Sequence, residues 1–221
     1  MPLATPRLPQ GEHPDGERRQ VRADARANVD KLLLAAAAVF AELGVDAPAR
    51  TIATRAEVGV GTLYRHFPKR SVLIAEVFRN EVDACAAAAP VIAAQYGDKH
   101  VRALTAWLHR YMDFIVSKRG LAAALHSGDP AFVDLHDYFD RHLGPAVDSL
   151  LAPAIAAGEV RADVAAHTIL HAVRSVCIPD DDGSIEHVRP VVDLLIDGLR
   201  FGALVEQTPT MAVGAASQPR G

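Results

Sequence analysis

The chain has 221 residues, half of them apolar, enough for one large domain or two small ones with real cores, which excludes disorder throughout. Its net charge of −4 argues against a general nucleic-acid coat, but the charge is unevenly placed: residues 1–80 carry 12 Lys/Arg against 9 Asp/Glu, and residues 49–70 carry five basic side chains against Glu57 alone. Cys85 and Cys177 stand apart with no CxxC or Cys/His spacing, no run of eighteen apolar residues occurs, and the start lacks an apolar signal region, so a reduced, cytoplasmic chain without a membrane partner is expected.

Residues 1–23 carry Pro2, Pro6, Pro9 and Pro14 with dispersed charge and no period, and read as a disordered arm whose Arg18, Arg19 and Arg22 are either solvated or available to phosphate. From Asp24 the pattern turns helical. Leu32, Ala36, Val39, Phe40 and Leu43 follow helical spacing, and Gly44 sits where a helix stops. A short helix follows over about 49–56, with Pro48 at its start and Ile52, Ala53 and Ala56 as its buried side.

After a turn at 57–59, residues 60–67 form a third helix. On a helical wheel Val60, Leu63 and Phe67 lie within about 60° of one another, whereas Gly61, Thr62 and Arg65 point the opposite way, with Tyr64 and His66 on the flanks. Such a displayed edge suits DNA. A glycine lets the backbone approach the sugar-phosphate chain, hydroxyls bond phosphate oxygens, and Arg65 and His66 offer donors to phosphates or base edges. Lys69 and Arg70 open a fourth helix, where free N–H groups and the helix dipole add attraction for phosphate. Two short helices at this spacing are a helix-turn-helix.

These residues resemble the tetracycline-repressor (TetR) type of bacterial transcriptional regulator. The resemblance rests on Ala36-Ala37, Val39 to Gly44, Ile52-Ala53, Val58, Gly61 to Pro68 and Leu73. It implies DNA contacts from Arg50, from Val60, Gly61, Thr62, Tyr64 and His66, and from Arg70. Three positions depart from the family pattern: Glu57 stands where glycine is usual, Gly59 where serine commonly caps the recognition helix, and Val60 where lysine is frequent. With Arg65 and Lys69 added from the residues themselves, the expected DNA-binding domain covers 24–80.

A second region begins after Pro90. Leu104, Leu108, Tyr111, Met112 and Ile115 mark a helix over about 101–118 closed by Gly120, then a short apolar helix over 121–126. A helical stretch over about 131–157 contains Gly144-Pro145 and Pro153, which predict a kink or break. Asp163 is expected to cap a helix reaching Cys177, 178–183 to form a loop, 184–206 a last helix with Val188, Val191, Val192, Leu195 and Leu199 along one side, and 207–221 a floppy tail.

The segment from Lys118 to Leu125, with Trp107, resembles the subgroup with an SbtR-like C-terminal domain, and implies that 81–206 forms a ligand-binding and dimerisation domain. Wide apolar faces with close-approach glycines on the last two helices favour a twofold four-helix bundle between two copies. Candidate ligand contacts are Trp107, Tyr111, Met112, His126, Phe132, Tyr138 and Phe139, each also open to a plain core role.

His167 and His171 lie four apart, and His136 and His142 neighbour Asp137 and Asp140, yet no metal-ligand motif accompanies them, so neither metal nor cofactor is expected. The resulting expectation is an all-α chain, a helix-turn-helix domain joined by a linker helix to a helical effector domain. It would act as a homodimeric repressor on palindromic operator DNA, released by a small molecule. The alternative, an α-helical metal- or cofactor-dependent enzyme with an incidental helix-turn-helix-like N-terminus, lacks a nucleophile elbow, phosphate loop or paired-carboxylate motif.

Overall fold

The computed structural model describes residues 14–117, 128–177 and 185–206. Among these there is no strand. The helices are α1 (Pro14–Leu43), α2 (Ala49–Arg55), α3 (Val60–His66), α4 (Arg70–Tyr96), α5 (His100–Ser117), α6 (Leu135–Ala156), α7 (Ala166–Val176) and α8 (Val188–Glu206), with a 3-10 turn at Pro130–Phe132. The chain divides into two compact units, Met1–Val77 and Phe78–Gly221, so α4 contributes to both.

The first unit forms around Leu32, Leu33, Ala36 and Val39 of α1, Ile52 and Ala53 of α2, Leu63 and Phe67 at α3, and Leu73 and Val77 of α4. Helices of seven residues are marginal by themselves. Their stability comes from burying Ile52, Ala53 and Leu63, almost wholly removed from water, against α1. Gly44 closes α1 at φ +80°, its N–H returning to the Phe40 carbonyl at 3.0 Å.

The second unit packs α5 against α4, α6, α7 and α8, with one aromatic cluster joining α4, α5 and α6. Trp107 stacks on Tyr111 with ring centroids 5.7 Å apart, and Tyr111, Phe114 and Phe139 make mutual tilted or stacked pairs. Both polar tips are satisfied: Trp107 Nε1–H donates to the Cys85 carbonyl at 3.0 Å and the Tyr111 hydroxyl to the Leu170 carbonyl at 3.1 Å. At the surface, His109 Nε2 meets Asp193 Oδ1 at 2.6 Å, fixing α5 to α8.

Several expectations are corrected. The helix expected from Asp24 starts at Pro14, so the second half of the expected arm is helical. Pro90 does not end an element; α4 runs through it to Tyr96. Likewise α6 is unbroken across Pro145 and Pro153. All three prolines are exposed, on the solvent side of their helices, and the Ala86–Ala89 run ahead of Pro90 favours helix. Asp163 caps nothing: the N-cap of α7 is Ala165, and Asp163 instead receives the Arg161 guanidinium, which holds its carboxyl below the usual range. The last helix begins at Val188 rather than 184. The expected helix at 121–126, the loop at 178–183 and the tail at 207–221 lie outside the described residues, as does the arm up to residue 13.

Candidate functional site

The α2-turn-α3 unit places its apolar residues inward and leaves a polar edge outward. Leu63 and Phe67 are buried, while Gly61, Tyr64 and Arg65 are exposed and Thr62 and His66 half-exposed. Tyr64, at 53% exposure, is one of the larger uncovered aromatic surfaces on the protein. Arg50, in the first turn of α2, and Lys69, just ahead of α4, are exposed as well. The wheel drawn from sequence therefore holds for α3.

Val60 is the exception within the expected contact set, because it is half-buried against the core of the first unit. Its side chain is partly spent on packing.

Gly61 has no need of its missing side chain for folding. A Cβ at this position would meet nothing within 4 Å, and its φ is not in the left-handed region. A glycine in the middle of a helix costs roughly 0.5–1 kcal/mol relative to alanine. The space it leaves lies outside the protein.

The three departures noted in the sequence acquire a geometry. Glu57 sits at φ +57°, the one non-glycine residue at positive φ among the described residues. Glycine is at ease there, and a residue with a Cβ is strained. Gly59 is the N-cap of α3, at φ −71° and ψ 145°, with no side-chain bond to the helix. Val60 follows directly.

Sequence reading did not anticipate two contacts of this unit. Arg55 Nη1 donates to Glu42 Oε2 at 2.8 Å, pairing α2 with α1. Arg70 Nε donates to the Val45 carbonyl at 2.5 Å, and its Nη2 donates to the Ala47 carbonyl. Both involve charges whose partners lie 13 to 25 residues away, which no local period reveals.

Two family models divide the chain in the same way: the bacterial regulatory proteins of the tetR family over residues 32–77, and the SbtR-like transcriptional regulator C-terminal domain over residues 101–201. A TetR transcriptional regulator from Streptomyces coelicolor is 36% identical, covering 78% of this chain and 98% of its own, with a TM-score of 0.63. The chain belongs to the TetR family. A second TetR regulator, from Mycobacterium vanbaalenii, is 32% identical over 81% of this chain and 99% of its own, with a TM-score of 0.62. No curated protein sequence matches the chain. As a TetR-family member it is a DNA-binding transcriptional regulator, and its α1–α3 unit is the DNA-binding domain.

In the second unit of this regulator, Trp107, Tyr111, Met112, Phe132 and Phe139 are buried and Tyr138 is half-buried; His126 lies outside the described residues. Trp107, Tyr111 and Phe139 are joined in the aromatic cluster. Tyr138 turns to the other side, its hydroxyl donating to Asp83 Oδ1 at 2.7 Å and its ring stacked on His142. Burial raises the Tyr111 phenol far above its ordinary range and pushes the Cys85 thiol up to about 11, so both stay protonated and unreactive. An open apolar groove of about 300 Å³ lies elsewhere, between α7 and α8, with Leu108, Ile169, Val173, Leu195 and Leu199 in its walls and Arg161 at its rim. None of the expected ligand contacts among the described residues lines it. Leu194 and Gly198 also line it, and with Phe201 they form an exposed stripe on α8 at i, i+4, i+7 spacing. Among the described residues no His/Cys/Asp/Glu cluster is arranged for a metal, and no helix is long and apolar enough to cross a membrane.

Proposed function

We propose that this regulator is a homodimeric repressor that reads an inverted-repeat operator with α3 and leaves it when a small molecule binds the second unit. The observation that carries the DNA side is the edge of Gly61, Thr62, Tyr64, Arg65 and His66, which is displayed and which the fold does not use. Arg65 and His66 supply donors to bases or phosphates, Thr62 and Tyr64 bond phosphate oxygens, Gly61 admits the DNA backbone, and Arg50 and Lys69 flank the contact. Val60 contributes at most an apolar contact with a thymine methyl.

Dimerisation follows from α7 and α8. Leu194, which lines the apolar groove, and Phe201 are each about 70% exposed, and a second copy of the same face would cover both by twofold symmetry. One short recognition helix makes too few contacts for genomic discrimination, whereas two copies read two half-sites.

For the effector, solved relatives of the same fold are described in complex with lauroyl-CoA (a Thermus thermophilus repressor, 17% identical) and with resorcinol (16% identical). For this chain the effector contacts proposed are Trp107, Tyr111, Met112, Phe132 and Phe139, buried in the second unit, together with Tyr138 and with His126, which lies outside the described residues. An effector that favours a dimer with wrongly spaced α3 helices lowers operator affinity by the ratio of its affinities for the two states.

Selection of bound fragments from random-sequence DNA by the purified protein tests this reading. Enrichment of an inverted repeat is expected; a single unrepeated element, or no enrichment, contradicts it.

A further inference from the structure

Arg70 lies where the family pattern places a phosphate contact, yet its guanidinium is turned to the protein. Nε donates to the Val45 carbonyl and Nη2 to the Ala47 carbonyl, both in the loop between α1 and α2. That loop begins at the left-handed Gly44 and ends at Pro48, the N-cap of α2. Arg70 itself follows closely on Phe67, the C-cap of α3. One planar group therefore joins the loop leading into α2 to the chain leaving α3, a link separate from the turn at 57–59 that connects the two helices in sequence.

We propose that Arg70 is a positioning residue for DNA reading, a clip that fixes α2 and its Arg50 relative to α3, and acts on DNA through them rather than by touching phosphate. This rests on the DNA-binding reading above. Four features support it. The two carbonyls flank Asp46, and a forked, flat donor meets both, whereas an ammonium is a point donor on a flexible stem. A cation at the C-terminal end of α1 also meets the negative end of its dipole. Ala47, between the clip and Pro48, is 4% exposed, so the loop is pinned on its inner side as well. Arg50 is only two residues beyond Pro48, and a shift of the loop moves it directly.

The experiment uses the full chain, with the DNA sequence enriched by wild type and an unrelated duplex of equal length as probes. Arg70→Lys keeps the charge and loses the fork. The clip predicts that Arg70→Lys loses roughly tenfold in affinity for the enriched sequence, keeps wild-type affinity for the unrelated duplex, and leaves the salt slope unchanged. Arg70→Gln removes the charge and is also expected to keep the wild-type slope, since no counterion is released at a residue that touches no phosphate. In the DNA-free protein, amide exchange over residues 44–51 quickens in Arg70→Lys while the middle of α1 stays protected. Full specific binding by Arg70→Lys, a lower salt slope in Arg70→Gln, or unchanged exchange at 44–51 overturns the clip. Failure of wild type to enrich any sequence is distinguishable from these and overturns the DNA-binding reading together with it.

Discussion

Glu42 and Arg55, one near the end of α1 and the other at the end of α2, are joined by a 2.8 Å hydrogen bond that is also an ion pair. The bond from Arg55 holds the Glu42 carboxyl below its ordinary range, and the Arg55 guanidinium is raised in turn. A carboxylate whose folded-state pKa is depressed contributes stability above its unfolded pKa and loses it as pH falls through the folded one. Glu42→Gln is therefore expected to be less stable than wild type at neutral pH, with the difference closing on acidification below the ordinary glutamate range. Urea unfolding of both proteins at a series of pH values measures it. Because both side chains are about half exposed, the difference is small and shrinks with added salt.

Glu57 holds a left-handed conformation that glycine adopts without cost. Glu57→Gly is expected to raise the unfolding free energy by about 0.5–1 kcal/mol, the relief of a strain of about 1–2 kcal/mol offset by the flexibility glycine adds to the unfolded chain. A lower stability on urea denaturation would contradict the strain.

Gly61 separates folding from function. The open space around it predicts that Gly61→Ala stabilises the protein by roughly 0.5–1 kcal/mol. The same methyl group holds the DNA backbone away, so operator affinity falls. Opposite signs in melting and in binding titrations are the expected result; equal or improved DNA binding counts against close approach at this position.

Leu194→Asp tests the dimer face. The sequence pattern drew attention to Leu195; both residues line the groove, but Leu195 is half-buried whereas Leu194 is 71% exposed. The substitution should give a folded monomer by light scattering and circular dichroism. Val192→Asp, at a fully buried position of the same helix, should unfold the unit instead. A stable dimer in Leu194→Asp removes this stripe from the interface.

Most of the first unit was legible because its helices are amphipathic with a clear period, so that Ile52, Ala53, Leu63 and Phe67 fell inward and Gly61 and Arg65 outward, with Tyr64 placed only on the flank. The turn at 57–59 was legible as a departure, but only the backbone gave its reason, since left-handed geometry at Glu57 leaves no trace in hydrophobic pattern. Prolines misled. Pro90, Pro145 and Pro153 suggested interruptions, yet each sits on the exposed face of a helix that runs through it, where the loss is one backbone hydrogen bond and the packing of the opposite face is kept. Asp163 misled for a related reason: its side chain had a stronger partner in Arg161 than the backbone N–H groups of α7. Contacts such as Arg70 with Val45 and Ala47 depend on two segments more than twenty residues apart meeting, and no local signal carries them.

Salt titration of DNA binding by wild type and Arg65→Ala tests the central claim most directly, because Arg65 is exposed on the reading edge and bonds nothing that the fold requires in its described contacts. If α3 of both protomers meets DNA through this edge, Arg65→Ala weakens binding to the enriched inverted repeat by tenfold or more, with the slope of log affinity against log salt reduced by roughly two, about one per protomer. Unchanged affinity and slope in a folded Arg65→Ala dimer would show that DNA is read elsewhere.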